Sequence, residues 1–496
     1  MPVRVNVRVV LFLTIIGFIL TACDQQQMQK ISTAVSAQSS AAPTFGAIVA
    51  GPTTAATTST SASATRTVTA TRTVAPTRTP KITATRTPTE VVTKKPTVPT
   101  PTPGPTHTPS NTPDVTPTIT GTPLPTLNKD VMGIQAYGNV GDNDWAQFMD
   151  RAQFMGFAWI KFQLSWKELE PSKGQYTQQL DVIKKNIFDS GKRNFVTLIS
   201  IAKAPDWARS ANARGQNDGP PANSQDLIDF LSNLLQDKNI AQGNFIRAVE
   251  IWNEPNLITE WTGSPFNGGA YVQLFTPVYK ALRVLNPGLM ILTSGLATTG
   301  DSNGSVDDRK WLQQMYGAGL PVGDPNFAIA AHPYGYANPP DARCCTSPSK
   351  GWDDHPSFFF LDTINDYHNI MVQNKDTQTK LWATEFGWPS FDGLKEGPHD
   401  TGQPAMPPND PGLAWMTRLT EDQQAQYIIR AYQLAQMSDI ASFMGPMFLW
   451  NLNFASLPGF TTAKTPSRPE AGFSVLNADT FPRQAFYLLS GSAKKQ

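Results

Sequence analysis

Val249-Glu250-Ile251-Trp252-Asn253-Glu254-Pro255-Asn256 is an apolar, strand-like run that breaks off in Asn-Glu-Pro, leaving a carboxylate at its tip. A second run, Leu381-Trp382-Ala383-Thr384-Glu385-Phe386-Gly387-Trp388, also ends in a single glutamate beside tryptophan. One Glu at a strand-to-loop junction is ordinarily a solvated charge or a partner of a helix N-terminus. Two of them, each at the tip of an apolar strand, make the carboxylate pair that cleavage of a glycosidic bond requires. Packing against Trp and Phe strips hydration from a carboxyl group and favours its protonated form, as a general acid needs near neutral pH. The residues alone leave open which of the two is so placed.

Outward from these runs, strand-like and helix-like stretches alternate, the pattern of a parallel sheet with covering helices. Strands are expected at 131–137, 157–166, 195–201, 246–252, 290–293, 327–332, 380–384 and 447–450. Amphipathic helices are expected at 144–155, 180–189, 227–235, 271–285, 311–316, 359–372 and 423–437, with a last one near 484–489. Eight such pairs predict an α/β fold of the (β/α)8 TIM-barrel type. There, catalytic groups sit at the C-terminal strand ends, where Glu254 (strand four) and Glu385 (strand seven) fall.

At these positions Trp252-Asn253-Glu254-Pro255-Asn256, with Glu250 before it, resembles glycoside hydrolase clan A, both family 39 (the β-xylosidase and iduronidase group) and the family 5 cellulase relatives. The resemblance runs over about 130–490. It implies that Glu254 is the acid/base, Glu385 the nucleophile, and Asn253 a partner of the sugar 2-hydroxyl. His332-Pro333-Tyr334 ends strand six, where the clan places a His and a Tyr that hydrogen-bonds the nucleophile, and Trp450 ends strand eight, where it has a Trp platform. One position departs: strand two carries Lys161 where the clan usually has an Arg, so a point charge replaces a planar fork of donors beside the nucleophile. Ala204-Pro205-Asp206-Trp207 after strand three is similar to family 39 proteins as well.

Trp166, Trp207, Trp261, Trp388 and Phe391 also fall at or beyond strand ends, either as stacking surfaces for an apolar sugar face or as packing under loops. Two long Gly/Pro/Asp-rich loops, 335–356 and 389–420, lie on the same face and read as a cleft wall or a lid. The resemblance thus implies a retaining β-glycosidase acting on a carbohydrate without a cofactor. The alternative is a catalytically silent carbohydrate-binding or wall-associated barrel. The formal net charge of +1 gives no argument for nucleic acid, and no phosphate-cradling glycine loop follows a strand. No Cys/His cluster has metal-ligand spacing. Adjacent Cys344 and Cys345 are either a vicinal disulfide or two thiols.

The chain opens with Arg4 and Arg8 before an apolar run at 9–20, too short for a comfortable span and laid out as a secretory signal. Leu20-Thr21-Ala22-Cys23 resembles a bacterial lipobox. That implies a signal peptide at 1–22, lipid on Cys23, and a membrane partner at the outer cell face. Residues 23–127 are dominated by Thr, Pro, Ala and Ser, with Thr-Arg-Thr repeated at 65, 71, 77 and 85. Such a segment buries too little surface to offset its conformational entropy and is expected to be a disordered linker, averaging roughly 55 Å in span, with the barrel over 128–496.

Overall fold

The direction in which each strand side chain points alternates, so the apolar runs must divide between a barrel axis and an outer layer of helices. The computed structural model describes residues 125–345 and 352–492. The signal segment, Cys23 and nearly all of the linker lie outside the described residues.

Eight strands, β1 (Met132–Gln135), β2 (Trp159–Ser165), β3 (Val196–Ala202), β4 (Ile246–Ile251), β5 (Met290–Leu292), β6 (Phe327–Ala331), β7 (Lys380–Phe386) and β8 (Met444–Leu449), form a closed parallel barrel. Each pairs with its neighbours in sequence, and β8 closes onto β1 through Met132 opposite Met447 and Ile134 opposite Leu449. The covering helices are α1 (Asp142–Met155), α2 (Gln178–Lys192), α3 (Ser224–Leu235), α4 (Gly268–Leu285), α5 (Asp308–Ala318), α6 (Phe360–Gln373), α7 (Glu421–Ala435) and α8 (Gln484–Gly491). The expected (β/α)8 barrel is therefore the fold.

Outward-facing Ile160, Phe162, Val249, Ile251, Ile329, Ala331 and Leu381 join the helices in one apolar layer. Inward-facing Leu198, Ala248, Leu292, Ala328, Ala330, Trp382 and Phe448 form a separate plug, with Trp159 and Met290 against it. Large and small residues alternate because two stacked rings, Trp382 and Phe448, fill most of the bore (centroids 6.3 Å apart). Glycine is needed where they lie: a Cβ on Gly133 would stand 2.4 Å from the Phe448 ring, and one on Gly445 2.3 Å from Trp382.

One step along each strand towards its C-terminal end, the inward positions turn polar: Gln135, Lys161, Glu250, His332 and Thr384 are all buried. The plug below and the helices around leave these groups no water from beneath. They must satisfy one another.

Strand boundaries differ from expectation where a special conformation intervenes. β4 stops at Ile251 because Trp252 already has φ 79, and β8 starts earlier than expected, at Met444, where Gly445 admits the Trp382 ring. β7 runs on to Phe386, with a register irregularity against β8 between Ala383 and Phe386. Leu127 is buried in the core, and its N–H donates to Ser492 O (3.0 Å).

Candidate active site

β4 delivers Glu254 through a turn that two non-glycine residues make in the left-handed region, Trp252 (φ 79) and Glu254 (φ 44). Such residues cost about 1–3 kcal/mol each and persist only where surrounding contacts hold them. Here the Trp252 indole donates to Glu260 O (3.1 Å), Glu254 N donates to Gly295 O (3.0 Å), and Leu257 N donates back to Glu254 O (3.0 Å). On the opposite strand the β7 irregularity lets consecutive residues reach the axis: Thr384 Oγ1 donates to Glu250 (2.6 Å) while Glu385 meets Lys161.

The two glutamates are both buried in the wall of one cavity at the C-terminal end of the barrel. One oxygen of each and a ring nitrogen of His332 all lie within 4.8 Å of one another. Glu385 accepts from Lys161 Nζ (2.9 Å, Oε1) and from Tyr334 Oη (2.8 Å, Oε2). The Gln135 amide, turned so that its oxygen accepts from Trp450 Nε1 (3.1 Å), donates to Glu385 Oε1 (3.0 Å). Glu254 Oε1 is 3.0 Å from His332 Nδ1.

Beneath them Glu250 acts as a hub. It accepts from Gly295 N (2.9 Å) and Thr384, and it lies 3.1 Å from Lys161 Nζ. His332 Nε2 is 3.7 Å from Glu250 Oε1, too far for an ordinary hydrogen bond, so that attraction is Coulombic. Burial alone would raise the Glu250 carboxyl, but Lys161, His332 and Thr384 bring it down to about 2. Burial opposes charge on His332 too, yet Glu385, Glu250 and Glu254 raise it to about 9. Lys161 is likewise held above its ordinary value, Glu250 and Glu385 outweighing its burial. Three carboxylates thus share the tier with two cations.

Among the described residues, Glu254, His332 and Glu385 are also a cluster whose spacing could hold a metal ion.

The other expected residues divide. Asn253 lines the cavity with its Oδ1 buried and unpartnered, and Trp450 and Tyr334 form its floor and side, Trp450 packing edge-on to Phe473 (4.9 Å) and Phe454 (5.8 Å). The structure does not bring Trp166 or Trp207 to the cavity. Trp166 is fully buried against Trp207 and Phe230, and both indoles donate to Glu170. Trp261, Trp388 and Phe391 are packing residues as well: Trp261 meets Trp252 edge-on (5.9 Å), and Trp388 donates to Asn338 O (2.8 Å). A strand-end position does not distinguish a ring facing the bore from one tucked under the next loop.

Both long loops contribute wall: Tyr336 from the first, and Leu413, Trp415 and Met416 from a short 3-10 helix (Pro411–Thr417) of the second. Cys344 and Cys345 in the first loop are joined as a vicinal disulfide. The sequence reading missed the connection after β8, which supplies Phe454, Phe460, Arg468, Glu470 and Phe473. Its length before Gln484 was the available signal. Gln135 was also missed, since nothing in a four-residue strand marks one amide.

No protein-family model matches the chain, and no curated protein does. Among solved structures, the chain is similar to a family 39 glycoside hydrolase from the gut symbiont Bacteroides cellulosilyticus WH2, with TM-score 0.51 and 19% identity over 74% of this chain and 65% of that one. This chain therefore spans about two thirds of that protein's length. The GH53 catalytic domain of Ignisphaera aggregans aligns with TM-score 0.49 and 14% identity, over 75% of this chain and 99% of that one. The likeness is one of fold, a (β/α)8 barrel.

Proposed function

We propose that this chain is a retaining β-glycosidase with Glu385 as nucleophile and Glu254 as acid/base. The observation that carries the reading is the approach of the two carboxylates, oxygens within 4.8 Å, at the tips of β4 and β7 in one cavity wall. Inverting hydrolysis needs carboxyl groups about 6.5–9.5 Å apart to admit water between Glu and sugar, whereas retention needs about 5–5.5 Å.

Each side chain then has work to do. Lys161, Tyr334 and Gln135 fix Glu385, and its Oε2, which takes the one bond from Tyr334, keeps a lone pair to form a bond to the anomeric carbon as the bond to the leaving oxygen breaks. Glu254 passes its proton to that oxygen, and afterwards takes one from the water whose oxygen displaces Glu385. Protonated His332 steadies whichever glutamate is charged at each stage. Asn253 Oδ1, buried without a partner, offers the sugar a hydrogen bond, and the face of Trp450 offers it a platform.

Hydrolysis of a panel of aryl β-glycosides by the full chain, with proton NMR of the first hemiacetal formed, tests this. The β anomer is expected first. The α anomer first, or binding of sugars without turnover of any of them, would overturn the reading, the latter in favour of a silent carbohydrate-binding barrel. The lipobox-like Leu20-Thr21-Ala22-Cys23 and the Thr/Pro-rich segment after it support a lipid tether at the outer membrane face. Mass spectrometry of the mature N-terminal peptide checks it, and an unmodified Cys23 would contradict it.

A further inference from the structure

The cavity has two unlike halves. Around Glu385 the wall is aromatic, with Tyr334, Trp450 and Phe473 in edge-to-face contact (6.0, 5.7 and 4.9 Å between centroids). Beyond Glu254, on the β2 to β4 side, it carries the polar groups Gln163, Glu168, Lys203 and Glu260 set among aliphatic side chains such as Leu164, Leu169 and Leu257. The reaction assigns the halves. The ring whose carbon bonds to Glu385 lies with the aromatic wall, and the oxygen that takes the Glu254 proton leads its group into the half with these polar groups.

We propose that Glu260 binds a hydroxyl of the leaving group, and hence that the bond cleaved joins one sugar to another rather than to an apolar aglycone; this rests on the glycosidase reading. Glu260 is 4% exposed, lines the cavity, and its Oε2 has no hydrogen-bond partner among the described residues. Leaving a buried carboxyl oxygen unpaired is costly, and a sugar hydroxyl is the group that would satisfy it. Its backbone is tied to the catalytic turn: its carbonyl accepts from Trp252, and its N–H donates to Leu257 O (3.0 Å), next to the Leu257 bond to Glu254. The side chain is thus held at a fixed offset from the proton donor, as a recognition group must be.

Its protonation suits the role. Burial, with Asp218 and Glu254 adding to it, lifts the carboxyl to about 8 against the pull of Lys203 and Lys167. At neutral pH the group carries a proton, so it can both donate and accept, matching a hydroxyl that does the same. A purely structural Glu260, buttressing the turn or balancing Lys203, would act on every substrate alike.

The full chain carrying Glu260→Ala or Glu260→Gln would be assayed on matched pairs: 4-nitrophenyl β-xyloside with xylobiose, β-glucoside with cellobiose, and β-mannoside with mannobiose. For the pair that the unaltered chain hydrolyses, Glu260→Ala is expected to lower kcat/KM for the disaccharide about tenfold more than for the aryl glycoside, the size of one lost hydrogen bond. Glu260→Gln, which keeps a donor and an acceptor, recovers most of the difference. Equal falls on both substrates, or a larger fall on the aryl glycoside, would overturn the proposal while leaving the glycosidase intact. No turnover by the unaltered chain would overturn both.

Discussion

Lys161 carries the largest single consequence in the site. It is fully buried on β2, 2.9 Å from Glu385 and 3.1 Å from Glu250. A lysine here gives one point charge, and the tier supplies Glu250 to orient it and Tyr334 with Gln135 to make the remaining bonds to Glu385. Replacing it by Met would remove the one cation in contact with both buried carboxylates and leave His332, 3.7 Å from each, as their remaining counter-charge, so Lys161→Met should lose about 3–5 kcal/mol of stability in urea denaturation. A loss below about 1 kcal/mol would mean that the ammonium is not the group balancing them. The sequence made Lys161 visible as a departure, but not its compensation. Glu250 sits inside the same quoted run as Glu254, and only its inward direction on β4 shows that it holds Lys161 rather than substrate.

At the scale of elements, the strand-helix alternation was legible almost throughout, because period-two apolar runs and amphipathic helices are set by burial on two sides of each strand. What was not legible was conformational exception: the left-handed Trp252 and Glu254, the irregularity that turns both Thr384 and Glu385 to the axis, and the glycines that make room for rings. The aromatic residues showed the same limit. Trp450 faces the cavity and Trp166 does not, though both end a strand. Helix α7 shows how an ordinary element supports the site from a distance. Its Tyr432 packs edge-on to Phe386 (4.9 Å) beside Glu385 and donates to Gly133 O (2.9 Å), joining β7 to β1. The helix starts in a capping box: Thr420 Oγ1 accepts from Gln423 N (3.2 Å) and Gln423 Oε1 accepts from Thr420 N (2.9 Å). Thr420→Ala should therefore lower the denaturation midpoint by the equivalent of about 1 kcal/mol with an unchanged slope. An unchanged midpoint would show that tertiary packing alone sets this helix start.

At the scale of the whole molecule, the buried charge tier should set the pH range of stability. His332 is raised from 6.5 to about 9, so its contribution is complete below pH 6.5 and is lost as pH rises through 9. Glu250 is lowered from 4.5 to about 2, so its contribution is complete above pH 4.5 and is lost as pH falls through 2. Glu260, raised from 4.5 to about 8, adds a decline that begins above pH 4.5, so the melting temperature should fall as pH rises towards 9, and His332→Asn should remove the part of that fall between pH 6.5 and 9 that belongs to His332 while leaving the part that belongs to Glu260. A melting temperature that holds level or rises over that range would contradict the charge assignment. The same tier is the chemical centre of the account, and its central claim, that Glu385 is the nucleophile and Glu254 the acid/base, has a direct test. In Glu385→Gly, hydrolysis of an aryl β-glycoside should fall by about 10⁴-fold or more, and azide should restore turnover with an α-glycosyl azide as product. Azide rescue of Glu254→Ala with the α product, and none of Glu385→Gly, would contradict it by reversing the two roles.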